Sequence, residues 1–351
     1  MYNNKVIDVV IPNYNKEKFI RDCLNSLVEQ TYKSWHCIVV DGFSDDGSWE
    51  TIKKFAEKDS RFEIHQLPRN GLYNSWNFGL SKVINPYFCI LTSDDLWDIN
   101  WLQVAIFSLE NNLNAICAAA RTRVIDSEGN PLEVATHNLM GEQLFINDYQ
   151  TSKIIKGIIS SVASYFLGSI YTSVHSLLIR REVVLKGEKF TEDVGAIADY
   201  EWYLRMGFYG DIIYHPFIEA NHRSYPGQAT AKNRLKENGL LMQKIHERNR
   251  KLIANQLGAN QGEYFLSLAT KYDKEILAYR YARPTVTELK NLSISIIFEM
   301  VSVFLKMPKQ VITDSYLKIL GRNFYIESSL NYARKIYNST DKIIDNQYRI
   351  K

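Results

Sequence analysis

Four short apolar runs, each stopped by a polar loop, constrain this chain more than any other feature. Val6 to Ile11 meets Pro12-Asn13-Tyr14-Asn15, and His36 to Val40 meets Asp41-Gly42-Phe43-Ser44-Asp45-Asp46-Gly47. Phe62 to Leu67 is a third run, and Tyr87 to Leu91 is a fourth that meets Thr92-Ser93-Asp94-Asp95. The first, second and fourth are mostly apolar and read as strands buried on both faces, whereas Phe62 to Leu67, with Glu63, His65 and Gln66, reads simply as a third strand. After the first run, Phe19, Ile20, Cys23, Leu24 and Leu27 recur at helical spacing. Residues 48–56 and 72–83 read as helices. Strand, loop and helix in repetition predict an α/β fold, a mostly parallel central sheet with flanking helices. Such sheets bind ligands beyond the carboxyl ends of their strands.

Here those ends carry Tyr14, Asp41 and Asp94-Asp95. Asp45 and Asp46 read as helix caps. Asp94 and Asp95 do not, because two adjacent carboxylates after a buried strand repel each other unless a cation sits nearby. Beyond Trp97, residues 115–125 and 174–180 read as further strands and 145–170 as mixed. From about residue 231 onward the pattern is helical. The expected division is a domain at 1–235 and a helical C-terminal region at 236–351. A chain of 351 residues with 46% hydrophobic residues has enough apolar material for a large core. A net charge of +3 is too small to argue for nucleic acid as a partner. Cys23, Cys37, Cys89 and Cys117 form no C-x-x-C pair and have no zinc spacing, which fits a reducing compartment. The short first apolar run ends at Pro12 and is no secretory signal, so the expected location is cytoplasmic.

Five segments then resemble one family. Val9-Val10-Ile11-Pro12-Asn13-Tyr14-Asn15 resembles the opening strand of family-2 glycosyltransferases of the GT-A fold. Val39 to Ser48 resembles their second strand with its D-G-x-S-x-D-G-[ST] loop, and Gly71 to Gly79 resembles the G-[IL]-Y-[DN]-A-x-N-x-G segment of bacterial surface-polysaccharide transferases. Leu91 to Asp95 resembles the metal-binding D-x-D loop, and Ile197 to Arg205 the acidic segment that holds the base. Each motif alone is weak. In this order and at this spacing they are specific over residues 6–235.

The resemblance implies site residues. Pro12, Tyr14 and Asp41 would hold uracil or another base, Tyr14 by stacking and Asp41 by accepting a ring N–H. Asn77 would support the nucleotide or donor-sugar side. Asp95 would bind Mn2+ or Mg2+, which neutralises the departing diphosphate, while Asp94 would bind the donor sugar or ribose. Asp199 would be the general base, with Glu201 as the fallback. His222 or Arg223 would neutralise the diphosphate. Related chains often carry Asp where this one has Thr92, Glu where it has Ala198, and His where it has Tyr225. His175 and His215 read as ordinary histidines.

The expected function is inverting transfer of a sugar from a nucleotide-diphosphate donor, with UDP the expected nucleotide, to a glycan or lipid-linked acceptor. The rival is a non-catalytic nucleotide-sugar-binding scaffold, which Thr92 and Ala198 motivate. An oxidoreductase fails, because Pro-Asn-Tyr-Asn rather than a G-x-G-x-x-G turn follows the first strand. Residues 292–306 are apolar around all but a stripe of Ser295, Glu299, Ser302 and Lys306. That pattern fits a helix buried in a bundle, a homo-oligomer contact, or peripheral membrane contact.

Overall fold

In a computed structural model the chain forms two compact units, residues 1–160 with 169–231, and residues 161–168 with 232–351. The structure describes residues 5–132, 144–145, 148–171, 173–228, 235–278, 301, 304–319 and 327–338.

The first unit opens with β1 (Ile7–Asn13), α1 (Glu17–Val28), β2 (Trp35–Asp41), α2 (Ser48–Lys58), β3 (Phe62–Gln66), α3 (Leu72–Ser81) and β4 (Tyr87–Ile90). It continues with β5 (Leu96–Trp97), α4 (Trp101–Glu110), β6 (Ala115–Ile125), β7 (Lys153–Ile155) and the start of α5 (Gly157–Leu167), whose residues from Ser161 onward belong to the second unit. After β8 (Leu177–Arg180) and the short α6 (Glu182–Leu185) come α7 (Ala198–Met206) and β9 (Asp211–Arg223). The sheet runs β3-β2-β1-β4-β8-β6-β9-β5, with β7 also paired to β9.

The expected helices and strands of the first ninety residues form within a few residues of their sequence limits. Every residue of β1 is buried, as a strand covered on both faces requires. Behind it α3 packs so closely that a Cβ on Gly79 would lie 2.3 Å from Val10 Cγ1, so only glycine fits. Asp46 accepts the Ser48 N–H at 3.0 Å and the Glu17 N–H at 2.8 Å. It thereby satisfies open donors at the starts of both α2 and α1.

The parallel expectation describes β3, β2, β1 and β4. Beyond β4 the sheet is mixed: β8 is antiparallel to both β4 and β6, while β9 is parallel to β6. The chain enters β8 from the edge at which β4 ends, so β8 must run back the other way. One edge of the sheet therefore collects the carboxyl ends of β1, β2, β4, β6 and β9 and the start of β8.

The second unit includes α8 (Leu235–Leu257), α9 (Ala259–Tyr272), α10 (Pro308–Ile319) and a helical stretch at 327–338. Its core is aromatic: Phe166 meets Phe265, Tyr272 and Tyr332 with ring centroids 5.1–5.8 Å apart. His246 lies against Tyr165 and meets Asp273 Oδ1 through Nδ1 at 2.6 Å. Most of residues 292–306 lies outside the described residues. Val301, Phe304 and Leu305 are described and exposed, so the burial expected of that stretch does not extend to them. Among the described residues no helix is long and apolar enough to cross a membrane. All four cysteines are buried and free.

Candidate active site

The collecting edge of the sheet holds every titratable group that the sequence singled out at a strand end. Asp95 follows β4 through a tight turn in which its N–H donates to the Thr92 carbonyl at 2.9 Å. Its carboxylate is 1% exposed at the residue level and is held from four sides. The Thr92 hydroxyl donates to Oδ2, and the Arg223 backbone N–H donates to Oδ1 at 2.8 Å. His175 Nδ1 stands 3.2 Å from Oδ2, and His222 Nδ1 stands 3.3 Å from Oδ1. Burial alone would raise the Asp95 carboxyl. The two imidazoles, with the hydrogen bonds from His222 and Thr92, outweigh it and hold the group well below the usual carboxylate range.

Burial pushes the His175 imidazole below its ordinary value despite Asp95. For His222 burial acts in the same direction, but Asp95, Asp94 and Asp199 together pull it upward. The ligand-capable atoms of Asp95, His175 and His222 all lie within 4.8 Å of one another. His222 Nδ1 is buried without a well-formed hydrogen bond. A carboxylate oxygen and imidazole nitrogens are ordinary donors for a divalent cation, and the group fits one.

Asp94 turns the other way. Its Oδ2 accepts from Lys16 Nζ at 2.7 Å and from the Tyr225 hydroxyl at 2.7 Å. Lys16 Nζ also donates to Tyr225 Oη, so the three groups close a triangle. Phe19 packs on Tyr225 at 4.6 Å between ring centroids.

Asp199 lies in the first turn of α7, after a break in which Gly195 adopts φ 59° and ψ −141°. Only glycine takes up that conformation readily, and it sets the direction in which the helix begins. Asp199 is inside the helix rather than at its N-cap, which is Ile197. Oδ1 accepts the Tyr200 N–H at 2.8 Å, and the Asp199 N–H donates to Tyr73 Oη at 3.3 Å. Behind this turn Tyr73, Trp76, Phe190 and Trp202 form an aromatic wall with ring centroids 4.9–5.4 Å apart. Burial raises the Asp199 carboxyl to about 6, and hydrogen bonds from Tyr200 and Tyr73 moderate the rise. A carboxyl with that value is an effective proton acceptor near neutral pH.

At the β1 and β2 ends, Asp41 is fully buried. Oδ1 accepts from Asn13 Nδ2 at 2.7 Å and from the Ser44 hydroxyl at 2.6 Å. Oδ2 accepts from the Ser44 N–H at 2.9 Å and from Gln66 Nε2 at 3.1 Å. Tyr14 is 37% exposed, with the Arg69 guanidinium 4.2 Å from its ring centroid.

Residues 8–170 match the model of glycosyl transferase family 2. That stretch, a little under half of the chain, therefore resembles the family. Among curated relatives, an uncharacterised glycosyltransferase of Haemophilus influenzae is 24% identical, over 74% of this chain and 77% of that protein. The teichuronic acid biosynthesis glycosyltransferase TuaG of Bacillus subtilis, itself described as putative, is 28% identical over 38% of this chain and 52% of its own length. The match thus spans about half of TuaG. Among solved structures, S. aureus TarS 1–349 in complex with UDP-GlcNAc has a TM-score of 0.60 at 17% identity, covering 96% of this chain and 91% of that one. The mannosyltransferase PcManGT of Pyrobaculum calidifontis, in complex with GDP-Man and Mn2+, has a TM-score of 0.56 at 15% identity, covering 93% and 85%. These likenesses show the GT-A fold.

In the structure the sequence motifs meet unequally. Tyr14, Asp41, Asp94, Asp95 and His222 stand at one edge of the sheet, and the Asp199 carboxyl acts on His222 from α7. Pro12 lies within β1 and pairs with Val40. The Asn77 amide clamps Phe190, donating to the carbonyl and accepting the N–H, each at 2.9 Å. It also reaches Glu192 at 3.1 Å. Arg223 is 1% exposed, and its guanidinium donates to the carbonyls of Asp94, Asp126 and Ser127. That makes it a brace for the Asp94 loop rather than a free cation. Glu201 is buried, 3.2 Å from Arg205 Nη1. His215 is an ordinary buried histidine, bonded to Ser108 and Ser152. His175 is not ordinary. Eighty positions separate it from Asp95, and no local pattern marks it, so the sequence held no signal for it. Lys16 was equally silent.

Proposed function

We propose that this transferase moves a sugar from a nucleotide-diphosphate donor, with UDP the expected nucleotide, to a hydroxyl of a glycan or lipid-linked acceptor, inverting the anomeric carbon. The observation that carries the reading is the convergence of a cation-competent cluster around Asp95 with a raised carboxyl at Asp199. A transferase needs both functions at once: neutralisation of a leaving diphosphate, and removal of a proton from a weak nucleophile.

Asp199 takes the acceptor's hydroxyl proton as the oxygen attacks the anomeric carbon. The new C–O bond forms on the face opposite the departing diphosphate, which leaves with its electron pair. Lys16, beside Asp94, supplies positive charge on the leaving-group side. Asp95 would hold Mn2+ or Mg2+, which when bound neutralises charge on the diphosphate. Tyr14 would receive the base by stacking. The likeness to TuaG, described as a putative teichuronic acid biosynthesis glycosyltransferase, supports a surface-polysaccharide acceptor.

The test is a panel of nucleotide sugars scored by thermal shift with and without Mn2+, then transfer to glycan and lipid-linked acceptors with the product anomer read by NMR. The expected result is a metal-dependent shift with one donor class and inversion of the anomeric carbon in the product. Retention of configuration, or binding with no transfer to any acceptor, would overturn the reading.

A further inference from the structure

We propose that His175 is a third ligand of the cation site, beside Asp95 and His222, and that this set selects Mn2+ over Mg2+. The inference rests on the reading of this edge as a donor-diphosphate site. Each oxygen of the Asp95 carboxylate faces a different imidazole, His175 Nδ1 at 3.2 Å and His222 Nδ1 at 3.3 Å. Ligands at about 2.1 Å from a common ion and at right angles to one another stand about 3 Å apart. The two carboxylate–imidazole distances are of that order, and one donor atom from each of the three residues lies within 4.8 Å of the others, close enough for one ion to draw them together.

His175 is also pre-positioned. It is fully buried, and its carbonyl accepts from Trp97 Nε1 at 2.7 Å, which ties its backbone to β5. Its ring lies 5.9 Å from that of His222, inclined by 23°. Nδ1 also meets Ser173 Oγ at 2.7 Å, a hydroxyl that holds this nitrogen in place until a cation takes it. Little conformational entropy remains to be lost when an ion arrives.

The charges give the selectivity. Three positions before Asp95 stands the neutral Thr92, which donates to Asp95. Lys16 beside Asp94 and Arg223 behind the Asp94 loop offset part of the negative charge of the Asp94-Asp95 pair. Mg2+ demands oxygen ligands and gives up water reluctantly, so one carboxylate in a partly neutralised setting offers it little. Imidazole nitrogens favour later divalent ions.

The experiment uses the full chain with Mn2+ alone, and then Mn2+ with UDP. Calorimetry gives the affinities, and pulsed electron paramagnetic resonance counts the nitrogens coupled to the ion. The wild type is expected to couple to two imidazole nitrogens and to bind Mn2+ at least about tenfold tighter than Mg2+. His175→Gln is expected to couple to one, to lose about tenfold or more in Mn2+ affinity, and to keep its Mg2+ affinity within about twofold. Should that variant fail to fold, the wild-type nitrogen count still decides. A wild type that couples to a single nitrogen, or shows no preference between the ions, overturns this inference while leaving the donor site intact. A wild type that binds no Mn2+ under either condition overturns the metal reading of the whole edge.

Discussion

Replacing Asp199 with Asn separates proton transfer from everything else the residue does. The variant keeps the shape of the side chain and can still accept the Tyr200 N–H that Asp199 takes at 2.8 Å. It cannot take a proton, so transfer should fall by about two to four orders of magnitude while donor affinity stays near wild type. The same substitution has a stability signature. The folded pKa of about 6 lies above the unfolded value of 3.8, so the folded chain binds this proton more tightly. Below about pH 4 the group is protonated in both states and costs nothing. The cost grows as pH rises through 6 and is complete above it. A shift of two units corresponds to about 3 kcal/mol, and the needs of the new amide reduce the expected gain to roughly 1–3 kcal/mol. Asp199→Asn should therefore melt higher than wild type at pH 8 and level with it at pH 4. In the wild type, kcat/KM should climb with pH and reach a plateau above about 6. Single-turnover transfer, donor titration and melting curves at the two pH values decide the matter. Retained transfer, or a stability gain independent of pH, would refute the assignment.

Asp95→Asn should lower turnover at least a hundredfold, a loss of roughly 3 kcal/mol or more of transition-state stabilisation. EDTA treatment of the wild type should reproduce the loss, and near-full turnover in either case would contradict it. Tyr73→Phe removes a hydroxyl whose hydrogen bond holds the Asp199 carboxyl down. The acid limb of its pH–rate profile should move upward by about half a unit to one unit, and a stationary limb would argue against contact between the two groups. Asn77→Ala breaks the clamp on Phe190 and should cost about 1–3 kcal/mol in thermal unfolding. Kinetically it should lower kcat more than it alters donor KM, since the clamp braces the segment leading to Asp199.

The parallel half of the fold was legible because β1, β2 and β4 are mostly apolar and its helices keep their period. Asp46 was readable as a cap from its place before Ser48. What escaped is long-range. The antiparallel course of β8 follows from where the chain re-enters the sheet, and a run of four residues, Leu177–Arg180, carries no mark of direction. His175 gains its meaning only from the fold, which brings it to Asp95. Arg223 read as a phosphate-binding cation because a guanidinium in a polar loop usually is solvated; its three carbonyl partners could not be seen in advance. Asn77 was picked out at the right position, and its partner at Phe190 redirects its role. Thr92 read as a missing charge, and the fold makes it a hydrogen-bond donor to Asp95.

The triangle of Lys16, Asp94 and Tyr225 joins the first loop of the catalytic unit to the residues just past its last strand, 209 positions apart. Closing so large a loop is slow, and its entropy must be lost before the contact returns anything. During synthesis the Asp94 carboxylate is exported from the ribosome long before Tyr225 exists to cover it. A nascent chain halted near residue 200 can contain β1 to β8 and the base, yet it lacks His222, Arg223 and Tyr225 altogether. Under the proposed function, competence to hold a donor is acquired late and abruptly, when β9 docks. A ribosome-bound series of increasing length should gain nucleotide-sugar binding in a single step once β9 and Tyr225 have cleared the exit tunnel.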